Sequence, residues 1–168
     1  YNDYDGEPIQ GSRYWLYDRL RKDFGFTGYV VSDSDAVEYL HMKHHTSENM
    51  KESVRQSVEA GLNVRCTFRT PDSYVLPLRE LVQEGAISME TIDERVADIL
   101  RVKFKVGLFD KPYNTKEEME KADREVNGPA NNEWALRASQ ESIVLLKNTG
   151  FLPMDASKIK KVAVVGPN

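Results

Sequence analysis

Cysteine is almost absent from this sequence, which has only Cys66 among its 168 residues. A single thiol excludes an internal disulfide and says little about the cellular compartment. The sequence also lacks an excess of basic charge, because its formal net charge is −4 at pH 7. Nucleic-acid-binding proteins usually carry a basic face, so no nucleic acid partner is expected.

Long apolar runs are missing as well. No stretch approaches the ~20 consecutive apolar residues that a transmembrane helix requires, so no membrane span is predicted. The chain opens with Tyr1 instead of Met and shows no secretory leader pattern. We therefore expect a piece of a longer polypeptide, with the remainder of its own chain missing. The cellular location stays unknown, and a periplasmic or extracellular one is compatible with the longer protein.

What the sequence does contain is ordinary globular composition, with 40% hydrophobic and 30% charged residues. Ser12 is a favourable first residue for a helix, and Leu16 and Leu20 follow it at helical spacing. The β-branched and aromatic run Tyr29–Val31 predicts a short buried strand.

The next segments continue this alternation of helix and strand. A helix capped by Ser47 is predicted to end at Gly61, and a strand is predicted over Leu62–Thr67. Two further helices are predicted over residues 73–84 and 88–107, the second of them capped by Ser88. The predicted inner face of the last helix consists of Ile92, Val96, Leu100 and Phe104. Strands separated by single helices indicate right-handed parallel crossovers, and therefore an α/β sheet or barrel.

The composition changes after Phe109. Residues 110–132 are polar and charged and are punctuated by proline and glycine, which predicts an interdomain linker. Asn132 is expected to cap a further helix, and residues 161–166 are expected to form a buried strand. One strand is not stable alone, so both ends of the chain are expected to cut through a fold.

The most pointed chemical feature is the run Ser32-Asp33-Ser34-Asp35, directly after the first predicted strand. In α/β folds the carboxyl ends of parallel strands carry catalytic and ligand-binding groups. A carboxylate at this position can serve as nucleophile, general base, metal ligand or phosphate acceptor. The pattern alone is equally compatible with one of these residues capping the next helix.

Residues 25–33, which lead into this acidic run, read Gly-Phe-Thr-Gly-Tyr-Val-Val-Ser-Asp. They closely resemble the nucleophile motif of glycoside hydrolase family 3. Further similarity to that family follows in the same order along the chain, at residues 60–63, 99–110, 138–148, 152–153 and 162–168. The resemblance therefore spans nearly the whole sequence.

The resemblance implies an α/β fold made of the C-terminal part of a (β/α)₈ TIM barrel, a linker and the start of an α/β sandwich domain. Residues 1–109 correspond to the barrel, from the end of strand six to the final helix, residues 110–132 to the linker, and residues 133–168 to the second domain. It also implies that Asp33 is the nucleophile. Tyr1 stands where a family tyrosine can donate a hydrogen bond to that nucleophile or contact the sugar. Ser34 is expected to bind the substrate as well, but it replaces a bulky residue, often Trp, of many members, so a flat apolar wall beside the substrate is missing.

The implied activity is that of a retaining exo-β-glycosidase, a β-glucosidase or β-xylosidase, acting by double displacement with no cofactor and no metal. Its substrate would be a β-linked oligosaccharide or an aryl glycoside. Such enzymes need a second carboxyl group ~5–5.5 Å from the nucleophile as acid/base. The family places it in the second domain, beyond residue 168, or elsewhere by subgroup, and Asp35 is not assigned to it. The isolated chain is therefore expected to be inactive and poorly soluble.

Two other functions remain open at this point. Asp33-Ser34-Asp35 also fits the D-x-D metal motif of a nucleotide-sugar glycosyltransferase, although no glycine-rich phosphate loop precedes a helix. A non-catalytic carbohydrate-binding module is the other alternative. The adjacent His44 and His45 are expected to be exposed loop residues and not metal ligands. Arg65 and Arg69, near the end of the second strand, are candidates to contact substrate hydroxyls or an acidic neighbour.

Overall fold

The computed structural model describes residues 1–126 and 128–166. The chain divides into two compact units, Tyr1–Tyr113 and Asn114–Asn168, each of which is described by itself. The domain limits expected after residues 109 and 132 stay predictions.

The first unit opens with a small antiparallel hairpin, in which β1 (Asp3–Tyr4) pairs with β2 (Glu7–Pro8). A short 3₁₀ helix, Ile9–Gly11, leads into a wide π-helix, Tyr14–Asp23. The hydroxyl of Ser12 accepts a hydrogen bond from the backbone N–H of Trp15 at 3.3 Å, as its predicted capping role requires.

The α-helices that the structure describes in this unit are α1 (Ala36–Met42), α2 (Met50–Ala60), α3 (Asp72–Gln83) and α4 (Met89–Lys105). Ser88 caps α4 as predicted, because its hydroxyl accepts from the Thr91 N–H at 3.2 Å. The sequence did not predict α1, a seven-residue helix that begins directly after Asp35.

The predicted cap of α2 is wrong. Asn49, and not Ser47, begins this helix, since its side chain accepts from the Glu52 N–H at 3.0 Å. Ser47 is buried instead, with its hydroxyl 2.7 Å from that of Ser53. Gly61 ends α2 as predicted, with a φ of 120° that side chains rarely adopt.

The two predicted strands of this unit, Tyr29–Val31 and Leu62–Thr67, are reduced to a parallel bridge between Val31 and Val64. Hydrogen bonds extend the alignment on both sides of the bridge. The Val64 N–H donates to the Val30 carbonyl at 3.1 Å, and the Ser32 N–H donates to the Val64 carbonyl at 2.9 Å. The parallel direction agrees with the predicted crossover, and the two segments end at the same edge.

The core lies between these parallel segments and the helices. One cluster joins the π-helix, α1 and the end of α2 through Leu16, Val37, Ala60 and Leu62. A second cluster joins α2, α3 and the loop before α4 through Val54, Val58, Leu81 and Ile87. Both clusters use the apolar faces of amphipathic helices, as the spacing of these residues requires.

The predicted inner face of α4 is only partly correct. Val96, Leu100 and Phe104 are exposed in this unit, and the buried residues of α4 are Arg95 and Asp98. Arg95 is buried because its Nε donates to the Val58 carbonyl at 3.0 Å. The apolar stripe on α4 therefore lacks a covering layer within Tyr1–Tyr113.

The second unit contains α5 (Lys116–Val126), α6 (Pro129–Ser142) and a 3₁₀ helix, Ala156–Lys158, and none of these elements has a buried residue. The predicted start of α6 at Asn132 is wrong, because Gly128 is its N-cap and Pro129 fits the first turn. Residues 161–166 form no strand among the residues that the structure describes. Across those same residues, no helix is both long and apolar enough to cross a membrane.

Candidate active site

The carboxyl ends of the two parallel segments carry the acidic run singled out in the sequence. Asp33 is exposed there, while the preceding Ser32 is buried. The Ser32 hydroxyl accepts from the Cys66 N–H at 2.9 Å and donates to the Asp33 carbonyl at 2.9 Å. One side of Asp33 is thereby anchored to the neighbouring segment.

The other side of Asp33 is anchored as well. Asp35 has a left-handed backbone, with φ at 57°, and its N–H donates to the Cys66 carbonyl at 3.0 Å. The Asp33 carboxylate accepts from the Ser34 N–H at 2.6 Å, which orients its side chain. An exposed, oriented carboxylate at this edge is suited to nucleophilic attack on a bound substrate.

Tyr1 lies beside Asp33, although its hydroxyl donates to a different group. The phenol donates to the Ser34 carbonyl at 2.7 Å, and its ring lies 5.2 Å from that of Tyr39 on α1. Loss of solvent contact, followed by the negative charge of Asp33, raises the pKa of Tyr1 above its usual value. Tyr1 therefore stays a neutral hydrogen-bond donor next to the carboxylate.

Ser34 is partly buried, and its side chain turns toward the second segment. Its hydroxyl lies 3.6 Å from the sulfur of Cys66, which is exposed. Both side chains are small, so the surface next to Asp33 lacks a bulky wall at these two positions. The expectation that Ser34 binds the substrate stays a prediction.

A buried ion pair lies next to these residues, in which Arg65 contacts an acidic neighbour as one of its two expected roles, while the acid, Glu38, was not predicted. Glu38 on α1 and Arg65 on the second segment have side chains that are 2% and 4% exposed. Arg65 Nε donates to Glu38 Oε1 at 3.1 Å, and Arg65 also donates to the Ser73 hydroxyl at 2.9 Å. The other carboxylate oxygen of Glu38 is buried without a partner among the described residues.

One sequence signal would have located Glu38 but given it the wrong partner. Asp35 and Glu38 have the spacing of a capping box, in which the acid at the fourth position turns back to the helix start. In the structure Asp35 makes no capping hydrogen bond, and Glu38 pairs with Arg65. Only the tertiary fold brings that arginine within reach.

Asp35 is engaged by a hydroxyl from the second segment. The Thr67 hydroxyl donates to Asp35 Oδ1 at 2.5 Å, and Arg69 Nε lies 3.8 Å from the same oxygen. Arg69 Nε is also 3.7 Å from Glu38 Oε1, so both arginines contact acidic neighbours and not open solvent alone. Burial raises the pKa of Tyr74, which faces Arg65, to about 12.

The two adjacent histidines differ from each other. His45 is exposed as predicted, but the expectation for His44 is wrong, since its side chain is only 10% exposed. His44 Nδ1 lies 4.0 Å from Asp3, and its Nε2 is buried without a partner in the described part of the chain. Among the described residues, no group of three or more metal-ligating side chains gathers around a common point.

Comparison with known proteins gives a match to the Glycosyl hydrolase family 3 N terminal domain over residues 1–102, more than half of the chain. The chain belongs to glycosyl hydrolase family 3. The N-terminal domain of this family is of the TIM-barrel type, which agrees with the parallel alignment at Val31 and Val64. The expected resemblance is thus confirmed at the level of the family.

Relatives within glycosyl hydrolase family 3 match along the whole chain. A β-xylosidase of Formosa agariphila is 33% identical, with 100% of this chain and 24% of that protein covered. A periplasmic β-glucosidase of Salmonella typhimurium is 32% identical, with 99% and 21% covered. The crystal structure of a β-glucosidase from Listeria innocua superposes with a TM-score of 0.74 and 32% identity, covering 90% of this chain and 20% of that one. The chain spans less than a quarter of the length of these family members.

Proposed function

We propose that the protein carrying this chain is a retaining exo-β-glycosidase that hydrolyses O-glycosidic bonds by double displacement through a glycosyl-Asp33 ester. The observation that carries the proposal is the exposed Asp33 carboxylate, oriented by the Ser34 N–H at 2.6 Å and anchored at both flanks. Family relatives named β-xylosidase and β-glucosidase support the same class of substrate, a β-linked glycoside.

The chemistry assigns Asp33 one of two carboxyl roles. In the first step an Asp33 oxygen bonds to the anomeric carbon as the bond to the leaving oxygen breaks, and a general acid protonates that oxygen. In the second step the same acid/base group takes a proton from water, which attacks the anomeric carbon and releases the ionised Asp33. The neutral phenol of Tyr1 donates to the Ser34 carbonyl and so holds in place the residue that follows the nucleophile.

The acid/base residue is not assigned within this chain. Asp35 is the nearest acidic residue in sequence, but its carboxylate already accepts from Thr67 at 2.5 Å. We propose that the second carboxyl group is supplied by another part of the complete protein. The isolated chain is therefore inactive, and we expect its exposed apolar residues on α4 to favour aggregation.

The barrel assignment belongs to the same proposal. We propose that Tyr29–Val31 and Leu62–Thr67 are the last two strands of a (β/α)₈ barrel, since each segment is followed by a helix and the two run parallel. Residues 133–168 would then begin the α/β sandwich domain. Neighbouring strands of the complete protein would complete the hydrogen bonds that this chain leaves open at its edges.

Product stereochemistry and one substitution test the function in the complete natural protein. Proton NMR during hydrolysis of a nitrophenyl β-glycoside identifies the sugar that forms first. That sugar is expected to be the β-anomer, because two displacements restore the configuration. Asp33→Ala is expected to lower kcat by about 10⁴-fold or more, because the covalent step loses its nucleophile.

The matched control is Asp123→Ala, on the exposed surface of α5, which is expected to keep full activity. Release of the α-anomer, or wild-type turnover in Asp33→Ala, contradicts the proposal. Binding of the sugar without turnover by the wild-type protein would instead identify a carbohydrate-binding module.

A further inference from the structure

The segment that follows Asp33 is held by a set of polar contacts that the proposed reaction does not itself use. These contacts converge on the Thr67 hydroxyl, which lies at the end of the second parallel segment. The groups around that hydroxyl are Asp35 Oδ1 at 2.5 Å, Glu38 Oε1 at 3.2 Å, Arg65 Nη2 at 3.2 Å and the Arg69 N–H at 3.1 Å.

The donors and acceptors at Thr67 can be assigned from chemistry. A hydroxyl has one proton and two lone pairs. The proton points to the Asp35 carboxylate, because that oxygen is the nearer acceptor. The lone pairs accept from the Arg65 guanidinium and from the Arg69 backbone N–H, both of which can only donate. The Thr67 hydroxyl is thus fully used, and Asp35 is its single acceptor at close range.

Asp35 is held at two points by the neighbouring segment. Its N–H donates to the Cys66 carbonyl at 3.0 Å, and its carboxylate accepts from Thr67 at 2.5 Å. Both contacts hold a left-handed backbone, with φ at 57°, that costs a non-glycine residue energy. Losing the side-chain contact would free this residue to return to a more common conformation.

That backbone conformation sets the direction of Asp33. Asp33 lies between Ser32, which is bonded to Val64 and Cys66, and Asp35, which is bonded to Cys66 and Thr67. Both sets of hydrogen bonds come from the second parallel segment. Only Asp33 and Ser34 lie between the two anchored residues, so a displacement of Asp35 also displaces Asp33. A nucleophile displaced by about 1 Å from its attack position loses on the order of a hundredfold in rate.

We propose that Asp35 and Thr67 are positioning residues for the Asp33 nucleophile, and that the buried Glu38–Arg65 pair holds the Thr67 hydroxyl in place through its contacts with that oxygen. The inference rests on the proposed function and deepens it. Asp35 is thereby given a role other than acid/base, since its carboxylate serves as a hydrogen-bond acceptor within the protein.

Kinetics of variants of the complete natural protein test this inference. Thr67→Val keeps the β-branched shape and removes the hydroxyl, and kcat on a nitrophenyl β-glycoside is expected to fall about 10- to 100-fold with KM within about twofold. Thr67→Ser restores the hydroxyl and is expected to restore kcat to within about threefold. Thr70→Val makes the same change at an exposed residue, whose backbone carbonyl accepts from Ser73, and is expected to leave kcat unchanged.

Substitutions of Asp35 separate positioning from proton transfer. Asp35→Asn keeps an oxygen that can accept from Thr67, so kcat is expected to stay within about fivefold with an unchanged pH profile. Asp35→Ala is expected to lower kcat as much as Thr67→Val does. The double variant is expected to be no slower than the slower single one, because both remove the same contact. If Thr67→Val does not fold, Asp35→Ala against Asp35→Asn measures the same contact from the other side.

The outcomes distinguish this inference from the proposed function. Retention of configuration and an inactive Asp33→Ala protein establish the nucleophile regardless of the result at Thr67. The positioning role is overturned if Thr67→Val, or Asp35→Ala in its place, keeps wild-type kcat. It is equally overturned if Asp35→Asn loses the basic or acidic limb of the pH profile, which would make Asp35 the acid/base residue.

Discussion

Asn63 is predicted to contribute strongly to stability, because its side chain joins the second parallel segment to the first segment, the π-helix and α4. Its Oδ1 accepts from the Val30 N–H and from Arg21 Nη2, both at 2.8 Å. Its Nδ2 donates to the Arg95 carbonyl at 2.9 Å and to Asp98 Oδ2 at 3.0 Å. Replacement of Asn63 by Ala removes all four contacts at once.

The magnitude follows from the chemistry of these partners. Two are neutral backbone groups, worth ~1 kcal/mol each, and two are charged side chains, worth ~1.5–3 kcal/mol each. Arg21 keeps part of its bonding, because it also contacts Asp98 at 2.9 Å and the Gly28 carbonyl at 3.1 Å. Water entering the vacated space offsets a further part. We expect Asn63→Ala to lower the free energy of unfolding by about 3 kcal/mol.

Thermal unfolding of the complete natural protein measures this change. For a domain of the size of a TIM barrel, about 3 kcal/mol corresponds to a fall in Tm of roughly 6–12 °C. Asn114→Ala, at an exposed position, is the matched control and is expected to leave Tm within about 1 °C. A fall of less than about 2 °C in Asn63→Ala would refute the assignment of Asn63 as a shared hydrogen-bonding centre.

Three further predictions concern the residues around the site. Glu38→Ala and Arg65→Ala are each expected to lower the free energy of unfolding by ~3–5 kcal/mol, since each leaves a buried charge unpaired, and urea unfolding measures this loss. The Tyr74 phenol, with a pKa of about 12 when folded and ~10 when unfolded, is expected to contribute full stability below pH 10 and to lose roughly 3 kcal/mol as the pH rises to 12. Alkaline unfolding curves measure this loss, and Tyr74→Phe should abolish it. Tyr1→Phe removes the donor to the Ser34 carbonyl and is expected to lower kcat about tenfold, measured on a nitrophenyl β-glycoside.

Each of these predictions has a control and a contrary outcome. Lys51→Ala breaks an exposed ion pair with Glu84 and is expected to cost no more than ~1 kcal/mol, so an equal cost for Glu38→Ala would contradict the burial argument. Identical alkaline unfolding curves for wild type and Tyr74→Phe would show that burial does not raise the pKa of Tyr74. An unchanged kcat in Tyr1→Phe would remove Tyr1 from the site.

The helices that follow from local sequence were the most predictable part of this fold. The Ser88 cap and the Gly61 end were predicted correctly, because a cap or a left-handed turn depends on a few neighbouring residues. The helix α1 was missed, since its first turn depends on an unusual backbone at Asp35. Asn49 replaced Ser47 as a cap because both residues satisfy the same local rule, and packing of Ser47 against Ser53 decided between them.

The candidate site likewise contains one residue that the sequence predicts and several contacts that depend on the tertiary fold. Asp33 could be singled out because residues 25–33 resemble the nucleophile motif of the family, whereas an acid after a strand is by itself equally compatible with a helix cap. The buried Glu38–Arg65 pair and the Thr67–Asp35 hydrogen bond could not, since their partners are separated by 27 and 32 residues in the sequence. Arg95 is buried on α4 because the Val58 carbonyl accepts from it, and Asp98 is buried because its carboxylate pairs with Arg21 and accepts from the Asn63 amide.

The covalent bond between Asp33 and the sugar is the central claim, and trapping it is the most direct test. A 2-fluoro glycosyl fluoride forms the ester with the nucleophile rapidly, and that ester then hydrolyses slowly. The complete natural protein is therefore expected to gain one 2-fluoroglycosyl group. Peptide mass spectrometry is expected to locate that group on Asp33, with Asp33→Ala unlabelled. Labelling of another carboxylate, or inactivation without any covalent adduct, would contradict the account.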